Sequence, residues 1–416
     1  MDGTLEPEKG VETVEFLIHG GVLIDCTGAD PIEKAGLVLR DGVIEKVGHV
    51  STLPKPGSDT HVIDAEGKTI MPGWINLHTH IINRHLRNAM ESKRQELRPR
   101  KYSDRFAWAV WNSLIEMLQG TTTFRDAGSE LNIDLKRTFN GDNPVFHGPT
   151  VVSCGQAVAM SGGHGTYGSL ISTPADGPDE VRRAVREQMA NGADWIKLMA
   201  SSGLQRMPDH ENPRWSEYTL EELEAGVEEA HKRDRRVFVH AHAVDAIKNS
   251  IRAGVDCIDH GMFMDEEAVN MMIERDTSFV PTLSGVYNVY QQRGPDFMDL
   301  ALTELWPPHC EGVRMAYESG VRIGVGTDGA GDMVQEMKTL NQLGLSKLEV
   351  LHAVTRVGAE ILDLDREIGT LQEGKHGDVL LLNGNPLDSF DALSQISHVF
   401  KKGVFVQDNW VLATLE

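Results

Sequence analysis

The sequence predicts an α/β chain: a (β/α)8 TIM barrel carrying a small β-sandwich built from the N- and C-terminal segments. Three observations carry this. Short β-rich runs punctuated by turn residues occupy both ends of the chain. Between them, strand-like runs alternate with helical stretches, as βα units require. Eight such strands can be counted over the central part of the 416 residues, the number that closes a barrel.

In order, Val14-Glu15-Phe16-Leu17-Ile18, Gly21–Asp25, Leu37–Arg40 and Val43–Val47 are short strands separated by Gly-Gly, Ala-Asp-Pro and Asp-Gly turns. Asp41-Gly42 between two β-rich runs is a hairpin signal. From Met71 the rhythm changes. Barrel strands are expected at 74–79, Thr121–Asp126, Val145–Cys154, Asp194–Met199, Arg236–Ala241, Asp256–His260, Thr277–Thr282 and Val321–Thr327. Helices are expected between them, at Pro178–Asn191, Leu220–Arg233 and Asp265–Arg275, and after them at Leu345–Thr355 and Ala359–Leu362. Strands return at Asp378–Leu382, Ile396–Lys401 and Val404–Gln407. The expected division is a discontinuous β-sandwich domain, 10–70 with 365–416, around a barrel domain, 71–364.

Composition narrows the function classes. Hydrophobic content of 40% supports a large core, and no apolar run is long enough to span a bilayer. A net charge of −22 disfavours nucleic acid and anionic membrane as partners. The leader Met1–Glu8 is acidic and lacks an apolar core, so it does not read as a secretory signal. Cys26, Cys154, Cys257 and Cys310 are scattered and form no CxxC pair, as expected of thiols in a reducing, cytoplasmic setting.

Chemistry in such a barrel gathers at the C-terminal ends of the strands. The first strand ends in His78-Thr79-His80, whose alternate side chains share a face and suit a metal ion. The fourth places Lys197 inside the apolar run Trp195–Met199, where a lysine is costly unless paired or chemically altered. The fifth puts His240 and His242 on one face, the sixth ends in His260, and the eighth ends in Asp328. Taken singly, each histidine reads as a hydrogen-bonded core residue and Asp328 before Gly329 as a turn. Convergence on one end of one barrel decides for a site.

These residues resemble the amidohydrolase superfamily over nearly the whole chain. The resemblance runs through Pro72-Gly73 before the HxH pair, Gly120-Thr121-Thr122-Thr123 with Arg125-Asp126, and Ser161-Gly162-Gly163-His164-Gly165. It continues through Val239-His240-Ala241-His242, the 20-residue step to His260-Gly261, Gly326-Thr327-Asp328, Asp378-Val379 and Asn385-Pro386-Leu387. The pattern is similar to the imidazolonepropionase-like branch, with its metal-dependent prolidases, Xaa-dipeptidases and ochratoxin-hydrolysing amidases. The resemblance implies two divalent ions, zinc suiting these N/O ligands best. His78, His80 and Asp328 would hold one, His240 and His260 the other, and Lys197, carboxylated by CO2, both. Two departures stand out: Asn76 where the family often has Asp, and Ser201-Ser202-Gly203 where Ser-Gly-Gly is common.

The implied reaction is hydrolysis of an amide C–N bond in a dipeptide or N-acyl amino acid, ochratoxin-like amides included, by a bridging hydroxide. Asp328 would act as general base and then general acid. His164 and His242 are candidates to bind the substrate's carbonyl oxygen or carboxylate. The alternative is a hydrolase of neutral carbamates or phenylureas, for which the same chemistry serves. A mononuclear cyclic-amide hydrolase or deaminase ranks lower. The deaminases carry a glutamate three residues after a strand-five histidine, where Ala243 and Asp245 stand here. A scaffold without activity is disfavoured because every ligand position is filled. The expected partner is a small carboxylate-bearing molecule. The segment Arg84 to Arg105, with eight basic residues against three acidic ones, would form a positive rim to attract it. A homo-oligomer is expected.

Overall fold

The computed structural model describes residues 15–83, 101–141, 144–166 and 171–406. The acidic leader, most of the basic segment (84–100) and the C-terminal 407–416 lie outside the described residues. The architecture is mixed α/β.

Both β-rich ends enter one eight-stranded sheet. Its order is Val404–Val406, Ile396–Lys401, Val379–Asn383, Lys68–Pro72, Glu15–Leu23, Ile32–Arg40 and Val43–His49, with Thr60–Asp64 also paired to Glu15–Leu23. The two runs expected at Val14–Ile18 and Gly21–Asp25 are one strand, irregular between His19 and Leu23. Asp41 and Gly42 both take positive φ, 52° and 84°, as a tight hairpin turn requires. Ile18, Leu37, Leu39, Ile70, Val379, Leu381 and Phe400 bury one face of the sheet. Inside it, Lys401 reaches the carboxylate of Asp378 at 2.5 Å, and neither is more than 4% exposed.

Two further sheets are parallel. One contains Trp74–Thr79, Thr121–Asp126 and Thr150–Val152. The other runs Ser172–Pro174, Ala157–Ala159, Trp195–Met199, Arg236–Ala241, Cys257–His260 and Ser278–Val280. Ser153 O accepts from Asp194 N and Trp195 N at 2.8 and 3.2 Å, so backbone hydrogen bonds cross from one sheet to the other. The helices stand where periodicity puts them, Gly177–Asn191, Leu220–His231 and Glu266–Arg275 among them. Leu220–His231 begins with a reciprocal capping box between Thr219 and Glu222.

Two expectations need correction, and two strands are unexpected. Val321–Thr327 is not a regular strand and keeps one isolated bridge, Ile323 to Phe279. It still donates from Thr327 N to His78 O at 2.8 Å and accepts at Val325 O from Leu77 N at 2.8 Å. Two glycines explain the irregularity. A Cβ on Gly324 would lie 2.2 Å from Leu77 Cδ1, and one on Gly326 would lie 2.6 Å from Val280 Cγ1. The segment is glycine-rich so that it can press against its neighbours, not so that it can pleat. The strand expected at Val145–Cys154 shrinks to Thr150–Val152, because Pro149 removes a ladder donor. The short strands Ala157–Ala159 and Ser172–Pro174 escape sequence reading, being only three residues each and without alternation.

Candidate metal centre

The ends of the parallel strands bring two groups of donors together. His78, His80 and Asp328 form one, and His240, His242 and His260 the other; within each, the ligand atoms lie within 4.8 Å of one another. The groups adjoin. The His78 and His260 rings are 4.8 Å apart, and His260 and His240 are 4.5 Å apart.

Four of the rings, His78, His80, His240 and His260, are held by one nitrogen, which frees the other. His78 Nδ1 is 2.8 Å from Asp259 Oδ2, and His80 Nδ1 is 3.3 Å from Gly128 O. Their Nε2 atoms stand 3.2 and 3.4 Å from Asp328 Oδ1. His260 Nδ1 meets Thr282 Oγ1 at 2.7 Å, and His240 Nε2 faces Ser202 O at 3.4 Å, leaving His240 Nδ1. Such outer partners fix tautomer and ring orientation for a metal ligand.

Burial sets the charge states. It pushes the His240, His242 and His260 imidazoles well below their usual range, helped by the neighbouring imidazoles and by Lys197. They are neutral, as ligands must be. Burial alone would raise Asp328, yet the imidazoles of His78 and His80 hold it well below the carboxylate range. The buried nitrogens His78 Nε2 and His242 Nδ1 have no hydrogen-bond partner among the described residues. Unsatisfied imidazole nitrogens beside a carboxylate fit divalent cations.

Lys197 is 1% exposed. Its Nζ lies 2.6 Å from Asp259 Oδ2 and 4.5 Å from the centre of the Phe238 ring. Burial lowers its affinity for a proton, opposed by Asp259. Asp259 is a residue that sequence reasoning misses. Besides His78 and Lys197 it accepts from Arg125 at 3.1 Å, and these partners hold its carboxyl far below the usual range against the cost of burial. The signal is an acid inside the run Cys257–His260. Strand alternation hides it, since Asp259 and His260 should face opposite ways. The backbone at His260 is left-handed, φ 73°, and so both side chains reach the same interior. Thr282 and Asp328 share that conformation, φ 52° and 51°. Such non-glycine outliers concentrate at functional sites.

The first departure from the family pattern is accommodated: Asn76 donates to Thr327 Oγ1 at 2.9 Å and accepts from His78 N at 3.2 Å. His242, expected at the substrate, stands within the three-histidine group. His164 stacks on His240 with ring centres 4.3 Å apart. Behind His260, the buried carboxylate of Glu336 accepts from Leu283 N at 2.8 Å and from Ser284 N, pinning the turn at Thr282. Burial pushes Glu336 up to about 7. Of the expected positive rim, Lys101 and Arg105 are described, and Arg105 is engaged by Glu130. No helix among the described residues is long and apolar enough to cross a membrane.

Comparisons with known proteins place the chain in a family. Residues 69–406 match the Amidohydrolase family. An ochratoxinase from Aspergillus niger is 29% identical over 93% of this chain and 85% of its own. The crystal structure of A. niger ochratoxinase superposes with a TM-score of 0.81 at 28% identity, covering 95% of this chain and 96% of that one. A Xaa-Pro dipeptidase solved with methionine in its active site gives a TM-score of 0.83 at 27% identity, covering 94% and 100%. This chain belongs to the amidohydrolase family and is a hydrolase acting on C–N bonds.

Proposed function

We propose that the chain hydrolyses the amide bond of a dipeptide or N-acyl amino acid, ochratoxin-like amides included, at a dinuclear metal centre. The observation that carries the reading is the adjacency of two three-residue donor groups with a buried lysine beside them. In this reading the two parallel sheets are arcs of one (β/α)8 barrel, 71–364, and the segments 10–70 and 365–416 form the smaller domain. His78, His80 and Asp328 would hold one ion, His240 and His260 the second, and a carboxylated Lys197 both. Zinc suits this donor set. Bound cations would polarise the scissile carbonyl and acidify a water so that it attacks near neutral pH.

The chain's own groups do the rest. Asp328, kept ionised by its imidazole neighbours, takes a proton from the attacking water and delivers it to the leaving nitrogen. Without that proton an amide nitrogen leaves poorly. His164 donates its remaining ring N–H, at Nε2, to the substrate's carbonyl or carboxylate oxygen, and His242 lies alongside. Support for an amide substrate comes from the relatives named above, an ochratoxinase and a Xaa-Pro dipeptidase. Cytoplasmic location and a homo-oligomeric state belong to the same proposal.

The test is a hydrolysis screen of metal-loaded protein with dipeptides, N-acyl amino acids, carbamates and ureas, each acid paired with its methyl ester. Preference for the acid, by about 10- to 100-fold in kcat/KM for one charge-assisted contact, supports the reading. Equal rates for acid and ester, with turnover of neutral carbamates or ureas, would replace it with the neutral-substrate alternative.

A further inference from the structure

His164 is clamped from several directions. Its Nδ1 lies 2.8 Å from Glu211 Oε1. Its backbone N donates to both carboxylate oxygens of Glu217, at 3.1 and 2.9 Å. One ring face lies nearly parallel to His240, at 22°. The ring also packs so closely on Gly203 that a Cβ there would sit 2.2 Å from His164 Nδ1. His164 Nε2 is the ring nitrogen with no partner among the described residues.

Glu211 is an unusual residue to find in this role. It lies in the loop after Trp195–Met199, 2% exposed, and its second oxygen accepts from Arg206 N at 2.7 Å. Arg293, from beyond the helix Leu283–Gln292, donates to Leu204 O and Met207 O of the same loop. These bonds tie down the loop around the Glu211 side chain. Burying a carboxylate costs free energy unless it is fully hydrogen-bonded, and a loop needs no such acid merely to turn.

We infer that Glu211 is a positioning residue, which holds His164 by Nδ1 so that Nε2 faces the metal centre as the contact for a substrate oxygen. The inference rests on the proposed function for the identity of that oxygen, the carboxylate of the amide substrate. It does not rest on it for the bond itself. Two carboxylates act on one residue: Glu211 sets the direction of the ring, and Glu217 fixes the backbone that carries it.

The experiment is a double-mutant cycle on metal-loaded protein. Glu211→Ala should raise KM about tenfold, as expected for loss of one aligned charge-assisted contact, and leave kcat and metal content unchanged. Glu211→Gln, which retains an oxygen for Nδ1–H, should recover most of the loss and guards against misfolding of the alanine variant. In a His164→Asn background Glu211→Ala should add nothing. An equal loss in both backgrounds, or an unchanged KM, would overturn the inference and leave Glu211 as a loop brace. Should no amide be hydrolysed, the proposed function fails, and histidine-selective 15N NMR of the resting protein still decides. A His164 Nδ1–H held in a hydrogen bond in wild type, with Nε2 also protonated, and released in Glu211→Ala supports positioning; an identical Nδ1 signal in both refutes it.

Discussion

Asp259 supports more of the candidate metal centre than any single donor does. Replacing it with alanine removes the 2.6 Å acceptor of Lys197 Nζ, the 2.8 Å partner of His78 Nδ1 and the 3.1 Å partner of Arg125. Lys197 and Arg125 are at most 1% exposed, so solvent cannot take over. Removing one partner of a buried ion pair costs about 3–5 kcal/mol, and here two cations lose the same anion. Metal-free Asp259→Ala should therefore be destabilised by at least that range, read from denaturant unfolding. Asp259→Asn keeps the volume and one acceptor oxygen, and its loss should be smaller. Loosening His78 should also weaken metal binding, by about 10- to 100-fold, the usual scale for partners that orient a ligand. Competition with a chromophoric chelator measures that on folded protein, separately from stability. An Asp259→Asn variant with wild-type stability and wild-type metal affinity would refute the reasoning.

Other consequences can be checked in parallel. Lys197→Ala should reduce the metal content below the roughly two ions expected of a dinuclear site, with partial recovery on adding short carboxylic acids; full metal content without rescue would remove lysine from the ligand set. Asp328→Asn keeps an oxygen donor and loses the base, so kcat should fall by about 10²-fold or more while most metal is retained. Normal turnover would send the proton elsewhere. Glu336 gives a pH signature. Its folded value of about 7 lies above the ordinary 4.5, so between those values the folded chain holds a proton that the unfolded chain has lost. Stability contributed at this site falls as pH rises through that window and is level above it, a change of about 3 kcal/mol. Glu336→Gln should flatten that part of the stability profile, and a difference between the two proteins that does not vary with pH would refute it.

The legible parts of this molecule are those with a local signature. Lys197 stands out because an ammonium in an apolar strand demands an explanation, and His78 with His80 because their spacing gives them a shared face. The strands Trp74–Thr79, Thr121–Asp126 and Arg236–Ala241 begin and end where the sequence places them. What the sequence conceals depends on distant partners. Glu211 acquires its meaning from His164, and Glu336 from the turn at Thr282. Asp259 is hidden by a left-handed residue that breaks strand alternation. Val321–Thr327 has strand-like composition, yet its glycines let neighbouring side chains approach too closely for a regular ladder.

The sheet shared by both ends of the chain has a consequence for synthesis. Strand Lys68–Pro72 lies against Val379–Asn383, opposite residues being roughly 300 positions apart. While the chain is still emerging from the ribosome, the strand leading into His78 has one open edge, and it keeps that edge until almost all of the polypeptide has been made. Asp328 also arrives late. The group of His78, His80 and Asp328 is therefore complete only once residue 328 has been made. A polypeptide cut short before Val379 would carry the exposed apolar edge Thr69-Ile70-Met71, a template for pairing with another chain.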